Sequence, residues 1–303
     1  MPQDNSRAYE ALAAGAGFVR RSDIGRLVVT GADRRTYLQG LLTNDVEALT
    51  AGIGCYAAML TAQGRMIADM FVDELGDSVL LRLPIALTTH VREHLERFVF
   101  TEDVQVADIT AQTVQFGIYG PRAADAADHV SDGTRLAIDD LPGAALIVDA
   151  ARASAVAAAL ESAGAVEATL DDFEVVRIEA GVPRFGVDMD GDTIPLEAGI
   201  EDRAISRTKG CYVGQEVIVR VLDRGHGRVA KRLVPLVFDE GARVPAHGAV
   251  VHSDDRDVGR VTSAVCSPGL GRVVALAYVH RDFTSPGTAL SVDGARATVR
   301  GAE

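Results

Sequence analysis

The chain has no tryptophan, only two lysines and only three cysteines among 303 residues, and the shortage of cysteine closes off a class of function. Cys55, Cys211 and Cys266 are widely spaced and form no Cys-x-x-Cys pair. That pattern suits free thiols in a reducing compartment, and three thiols cannot build a four-thiolate metal site from one chain. No segment approaches the roughly 20 apolar residues of a membrane span, and Met1–Glu10 is polar with no signal core, so a cytoplasmic protein is expected. Positive charge is also short: the net charge is −13 and the pI about 5.0. Wholesale coating of nucleic acid, which depends on neutralising phosphates, does not fit that balance. Gly15-Ala-Gly17 and Gly269-Leu-Gly271 lack the third glycine and the following lysine or helix of a phosphate cradle, so no nucleotide fingerprint is present. Heptads, solenoid repeats and low-complexity tracts are missing as well.

Against this background one stretch stands out. Lys209-Gly-Cys-Tyr-Val-Gly-Gln-Glu216 sets an ammonium, a thiol, an amide and a carboxylate within eight positions. Gly210 and Gly214 free the backbone to turn or to admit a ligand. Both lysines of the chain, Lys209 and Lys231, fall between Arg203 and Arg232. That stretch holds eight basic residues (Arg203, Arg207, Lys209, Arg220, Arg224, Arg228, Lys231, Arg232) against Glu216 and Asp223, a surplus of six. An anionic visitor is expected there. Cys211, two residues from Lys209, is the candidate nucleophile, because nearby cations favour the thiolate and flanking glycines suggest an open loop. Cys55 and Cys266, inside apolar runs, read as buried filler. The Val217–Leu222 run reads as a strand that scaffolds the loop.

The rest of the chain reads as α+β. Arg26–Thr30 is a strand, and Asp33 offers an N-cap to a helix carrying Tyr37, Leu38, Leu41 and Leu42. Cys55–Leu60, Met66–Val72 and Val79–Leu83, separated by turn signals, form an antiparallel meander. Pro84 suits the first position of a helix whose Leu87, Val91, Leu95 and Phe98 share a face. A second round follows: Val114–Tyr119, a helix from Pro121 through Val130, Ala145–Val148, then a helix over Ala153–Ala163. The two rounds predict two α+β lobes of related, ferredoxin-like design. Leu170–Ala180 is helical and ends at Gly181, delivering Glu179 to a loop. Beyond Arg232 only short strands remain, five or six in about 70 residues, which close most simply as a small barrel. The expected division is 1–232 and 233–303.

Two constellations carry possible chemistry. His90-Val-Arg-Glu-His94 has the spacing of an inverted zinc-hydrolase signature. Each histidine, however, directly precedes a core-facing residue, Val91 or Leu95, which suits the edge of an ordinary amphipathic helix. Glu179 and Glu197 lie in Arg177-Ile-Glu-Ala-Gly-Val-Pro and Ile194-Pro-Leu-Glu-Ala-Gly199. A carboxylate there suits the amidine-like edge of a pterin or guanine, or equally an arginine partner such as Arg177, Arg184 or Arg203.

At these residues the chain resembles the YgfZ family of folate-binding proteins, within the broader group of the glycine-cleavage aminomethyltransferase. The likeness rests on Tyr37-Leu-Gln-Gly-Leu-Leu-Thr-Asn-Asp-Val46, Leu60-Thr-Ala-Gln-Gly-Arg65, the Glu-Ala-Gly-Val-Pro loop and above all Lys-Gly-Cys-Tyr-Val-Gly-Gln-Glu. It implies three lobes around tetrahydrofolate, the last a small barrel. Glu179 and Glu197, with Arg177, Gln215, Glu216 and Arg220, would contact the folate; Lys209 and Cys211 would carry the signature's chemistry. It further implies maintenance of iron-sulfur enzymes, one of which thiolates tRNA, with assembly proteins or client enzymes as partners. One departure counts against glycine-cleavage activity. The aminomethyltransferases carry a catalytic aspartate in a Val-Asn-Ala-like segment, and Leu81-Arg-Leu-Pro84 aligned there has no acid. A folate-dependent one-carbon transferase therefore stands as the alternative. Direct tRNA binding is a third reading, carried by the basic run alone, with Tyr212 as its one aromatic platform.

The purified protein is expected to carry no stoichiometric zinc. Elemental analysis finding one zinc per chain, lost in His94→Ala, would reverse the reading of the histidine pair as helix packing.

Overall fold

The computed structural model describes residues 3–138, 141–225 and 227–301. The chain forms two compact units, Met1–Phe173 with Asp202–Gln215, and Glu174–Glu201 with Glu216–Glu303.

The first unit opens with helix α1 (Gln3–Ala14), which sequence reading passed over because its face is made of small residues. Ala8, Ala11 and Leu12 nevertheless recur at helical spacing and are buried. Strands β1 (Gly17–Arg20) and β2 (Ile24–Thr30) follow, then helix α2 (Arg34–Leu41). The meander is β3 (Gly54–Leu60), β4 (Met66–Glu74) and β5 (Val79–Pro84), antiparallel as expected. Pro84 does not start a helix. It pairs with Ile24 as the last residue of β5, and a 3-10 turn over Ile85–Leu87 leads into α3 (Thr88–Arg97). With β6 (Gln105–Asp108) these strands make a sheet in the order β3-β4-β5-β2-β6. One face packs Leu38, Val91 and Leu95 against Leu27, Val29, Val72 and Leu81, the period-2 and period-3.6 patterns meeting in one core.

The second lobe of this unit comprises β7 (Thr113–Tyr119), α4 (Ala123–Asp128), β8 (Thr134–Ala137), β9 (Gly143–Asp149), α5 (Ala153–Ser162) and β10 (Val166–Ala168). Its sheet runs β10-β1-β7-β9-β8, with β1 borrowed from the start of the chain. Phe18, Phe116, Ile118 and Leu146 pack there on Ala126, Val156 and Leu160. Helix α4 stops short of the expected Val130. The other faces of the two sheets meet through Leu80, Leu136, Ala145 and Ile147.

Beside that apolar contact lies a charged one. Arg82 is fully buried; its Nε and Nη2 donate to the two oxygens of Asp73 at 2.7 and 3.1 Å, and Nη2 also donates to the Ala137 carbonyl at 2.9 Å. Its guanidinium lies 4.6 Å from the Phe71 ring centroid. Arg82 thus ties β5 both to β4 and to the neighbouring sheet.

The second unit is built on the second half of helix α6 (Leu170–Glu179), on α7 (Pro195–Ala198) and on a closed antiparallel barrel; all of α8 (Glu201–Ala204) after its first residue belongs to the first unit. Between them runs α9 (Gln215–Val219) with a π-type turn over Arg220–Arg224, where sequence reading expected a strand. Of Val217, Ile218 and Val219 only Ile218 is buried, and the β preference of these residue types gives way to the helical turn. The barrel strands are β11 (Lys231–Phe238), β12 (Val250–Ser253), β13 (Arg256–Ser267), β14 (Arg272–His280), β15 (Ala289–Val292) and β16 (Ala295–Val299). Their order is β11-β14-β13-β12-β15-β16, with β16 closing on β11. Leu236, Val251, Val261, Ala275, Ala277 and Val299 fill the interior. All six strands were legible, and closure leaves no edge to template another chain. The α+β fold with a terminal barrel is therefore as the sequence implied.

Removing one member of the Asp73–Arg82 pair should cost about 3–5 kcal/mol by stranding a buried charge, whereas replacing both by leucine should cost far less. Urea denaturation of Asp73→Ala and of the double variant, followed by a probe in the first unit, checks this. Equal losses would show that the pair is not coupled.

Candidate functional site

The Lys209–Glu216 segment divides cleanly into residues turned inward and residues turned to solvent. Lys209 is buried, and its Nζ donates to three main-chain carbonyls: Gln39 at 2.7 Å, Leu42 at 2.6 Å and Asn44 at 2.8 Å. These carbonyls lie at the C-terminal end of α2, where the last helical C=O groups lack intrahelical partners and the helix dipole favours a cation. Its Nζ also lies 5.3 Å from the ring centroid of Tyr212, itself buried. Val213 N–H donates to the Gly40 carbonyl at 3.2 Å, and Ser206 N–H to the Thr43 carbonyl at 3.1 Å. Gly214 has φ +84°, and a Cβ there would fall 2.5 Å from the Thr61 carbonyl oxygen, so no other residue fits. Gly210 shows neither constraint. Cys211 is exposed, as expected of an open loop, whereas the ammonium expected to activate it is committed to carbonyls.

Three of the eight basic residues in the run are matched by carboxylates. Arg207 pairs with Asp202 at 3.1 Å, Arg220 with Glu216 at 2.7 Å and Arg232 with Glu201 at 2.6 Å. Two of those partners lie just before the stretch in which the surplus was counted. Gln215 begins α9, its N–H donating to the Tyr212 carbonyl at 3.2 Å. Cys55 is partly buried against the first core; Cys266, expected to be buried, is exposed on β13.

Glu179, half-buried, ends α6. Arg177 on the same helix is fully buried and uses every N–H. Nε and Nη2 bind Glu174, Nη1 binds the Val182 carbonyl and Asp188, and Nη2 also binds Ser263 Oγ. No donor is left for a ligand, so Arg177 holds the loop instead of contacting folate. Its carboxylate partners are Glu174 and Asp188, the latter a residue that sequence reasoning missed. Asp188 further accepts from Thr262 Oγ1 at 2.5 Å, Ser263 Oγ at 2.7 Å and the Arg184 N–H at 3.0 Å. Neighbours in a regular strand point to opposite faces. The register shift in β13 between Val261 and Ser263 lets two consecutive hydroxyls reach one carboxylate.

Glu197 sits in α7, half-buried, its carboxylate 3.4 Å from the Ile194 N–H. It lines a cleft of about 800 Å³ in the second unit, with Asp190 and Thr193 nearby and Lys231, Arg256 and Tyr278 from the barrel. Lys231 Nζ lies 4.8 Å from the Tyr278 ring centroid. Such a volume suits a small-molecule ligand, and mixed polar and apolar walls are usual for one. The structure gives neither Glu179 nor Glu197 an ion pair with Arg177, whose hydrogen bonds all go elsewhere.

In the first unit Tyr56 OH donates to Asp69 Oδ2 at 2.6 Å, and the Arg203 guanidinium lies 4.9 Å from the Tyr56 ring centroid. Asp69 shares the sheet face of Asp73 and Arg82, and no motif announced it. His90 and His94 have ring centroids 6.4 Å apart on α3, where Val91 and Leu95 face the core. Burial, then His90 and Arg97, lowers the pKa of His94. No group of three metal-ligating side chains occurs among the described residues, and no helix there is long and apolar enough to cross a membrane.

Comparison with known proteins gives consistent matches across both units. Residues 3–146 match the GCVT N-terminal domain, and residues 231–302 match the glycine cleavage T-protein C-terminal barrel domain. An aminomethyltransferase of Rubrobacter xylanophilus is 30% identical over 89% of this chain and 78% of its own length. One from a Nostoc species is 29% identical over 95% and 83%. The crystal structure of a glycine cleavage system aminomethyltransferase T from Bartonella henselae superposes with a TM-score of 0.85 at 22% identity. It covers 99% of this chain and 89% of the other, a likeness of fold.

Burial lowers the Lys209 pKa from 10.5 to about 8, against the opposing pull of Asp45, Cys55 and Glu47. Between those values the unfolded chain holds a proton that the folded chain does not. The stabilisation from this titration is therefore complete above pH 10.5 and lost as pH falls through 8. Wild type should gain stability relative to Lys209→Met as pH rises from 8 towards 10.5, measured by urea midpoints. A difference that stays flat with pH would contradict the burial argument.

Proposed function

We propose, from the premise that this chain belongs to the glycine cleavage T-protein family of aminomethyltransferases, that it binds a reduced folate and works on the one-carbon unit such a folate carries. The observation that carries this reading is the family match at both ends of the chain, joined to half-buried carboxylates that suit a pterin edge. Glu179 and Glu197 are the residues that would hold that edge, each able to accept two parallel hydrogen bonds from amidine-like N–H groups. The Glu197 cleft has the size and mixed lining that a pterin with its aromatic tail requires. Bound folate would supply the nitrogen that carries the one-carbon unit.

Aminomethyl or methyl transfer is the chemistry that the named relatives favour. Such a transfer needs a group to manage the proton on the folate amine. The Leu81–Pro84 segment offers Arg82, already bound to Asp73. Asp69, hydrogen-bonded by Tyr56, is the candidate acid of the first unit.

A second reading, that of a YgfZ-like folate-binding accessory protein serving iron-sulfur enzymes, has its own support. It draws on the exposed Cys211 within Lys209–Glu216 and on the missing acid at Leu81–Pro84. Assembly proteins or client enzymes would be its partners, with tRNA affected through them. Direct tRNA binding loses support from the pairing of Arg207, Arg220 and Arg232 with carboxylates.

Calorimetric titration with tetrahydrofolate should show binding, weakened by about 1–3 kcal/mol, or tenfold and more, in Glu179→Ala or Glu197→Ala. Both variants binding as tightly as wild type would remove the carboxylate assignment. Turnover of methylene carriers, abolished in Asp69→Asn, would select the transferase; binding without turnover would select the accessory role.

A further inference from the structure

We infer that Lys209 acts as a tethered cation: three carbonyls at the end of α2 form a monovalent-cation site, the Lys209 ammonium fills it from within, and this plug holds the Cys211 segment in place. The inference does not rest on folate binding.

Three features carry it. The carbonyls of Gln39, Leu42 and Asn44 converge on one nitrogen at 2.6–2.8 Å, so that each of the three ammonium hydrogens has its own acceptor. Convergent main-chain carbonyls are the acceptor type that binds dehydrated potassium. Lys209 is also more than nine-tenths buried, so water cannot replace it at the carbonyls without the segment moving.

The segment's other attachments in this unit gather at the same place, where Thr43 Oγ1 and Asn44 Nδ2 donate to the Ala204 and Arg203 carbonyls at 2.6 and 2.8 Å. The Ser206 and Val213 amides bind the Thr43 and Gly40 carbonyls at 3.1 and 3.2 Å, and Tyr212 covers the ammonium with its ring. All of these hydrogen bonds reach residues in or just after the same helix. Below about pH 8, where Lys209 keeps its proton, its bonds to the carbonyls are charge-assisted, and such bonds are roughly twice as strong as neutral ones. Cys211, two residues on, is exposed, and its exposure follows from where Lys209 and Tyr212 are held. Lys209 is in this sense a positioning residue for the thiol.

A mobile cation should therefore substitute for the tethered one. Hydrogen exchange is compared in the full chain for wild type, Lys209→Ala and Lys209→Gln, the last keeping two donors without charge. The Ser206 and Val213 amides should exchange about tenfold faster or more in both variants, while the barrel amides of Val274 and Leu276 stay unchanged. Ammonium chloride should restore protection in Lys209→Ala, whereas tetramethylammonium chloride at equal ionic strength, which has no N–H, should not. Alkylation of Cys211, measured against Cys211→Ser to subtract Cys55 and Cys266, should change with the variants and return with ammonium. If Lys209→Ala does not fold, rescue is read as recovery of folding under the same two salts, and Lys209→Gln carries the exchange measurement. Unchanged exchange at Ser206 and Val213, or an equal response to the two salts, overturns the proposal.

Discussion

A cation taken out of water must be met by a carboxylate or by oriented carbonyls, and three of the buried cations of this chain show what that demand does. Arg82 joins the two sheets of the first unit through Asp73 and the Ala137 carbonyl. Arg177 gathers Glu174, Asp188 and Ser263 in the second unit. Lys209 plugs the end of α2. Each sits where apolar packing alone would let elements slide, since aliphatic contacts fix spacing but not register. A guanidinium accepts only a narrow set of partner directions. The barrel shows what that demand can do to a strand. Asp188 needs several donors, and the β13 bulge supplies both Thr262 and Ser263 from adjacent positions.

The sequence disclosed the parts of the fold governed by periodicity. Every barrel strand was visible because apolar residues alternate between glycine- and proline-marked turns, and α3 was visible because Val91 and Leu95 share a face. The failures have physical causes too. Helix α1 buries mainly alanines, a weak apolar signal. Val217–Val219 looks like strand by residue type, yet only Ile218 is buried, and packing decides. Pro84, acceptable in a strand end as well as in a first helical turn, took the strand. Cys266 sits in an apolar run but on the outer face of β13, a distinction residue type cannot draw.

The candidate site was legible in location more than in role. Charge counting picked out Lys209, but counting cannot tell a solvent-facing ammonium from one buried in carbonyls. Arg177 drew notice as a neighbour of Glu179, while its true partner Asp188 lies eleven positions along in an unremarkable loop. Asp69 and Tyr56 meet across β3 and β4, a contact that only strand register creates.

Sorting Lys209–Glu216 by direction narrows what the segment can do chemically. Lys209 and Tyr212 point inward and are spent on holding the loop; Gly214 exists for a close backbone approach. Cys211 and Glu216 face solvent, and Glu216 is joined to Arg220 by a pair so exposed that it is worth little. The architecture of this segment is thus carried by Lys209, Tyr212 and Gly214, and Cys211 is a side chain that the same arrangement leaves in solvent between them.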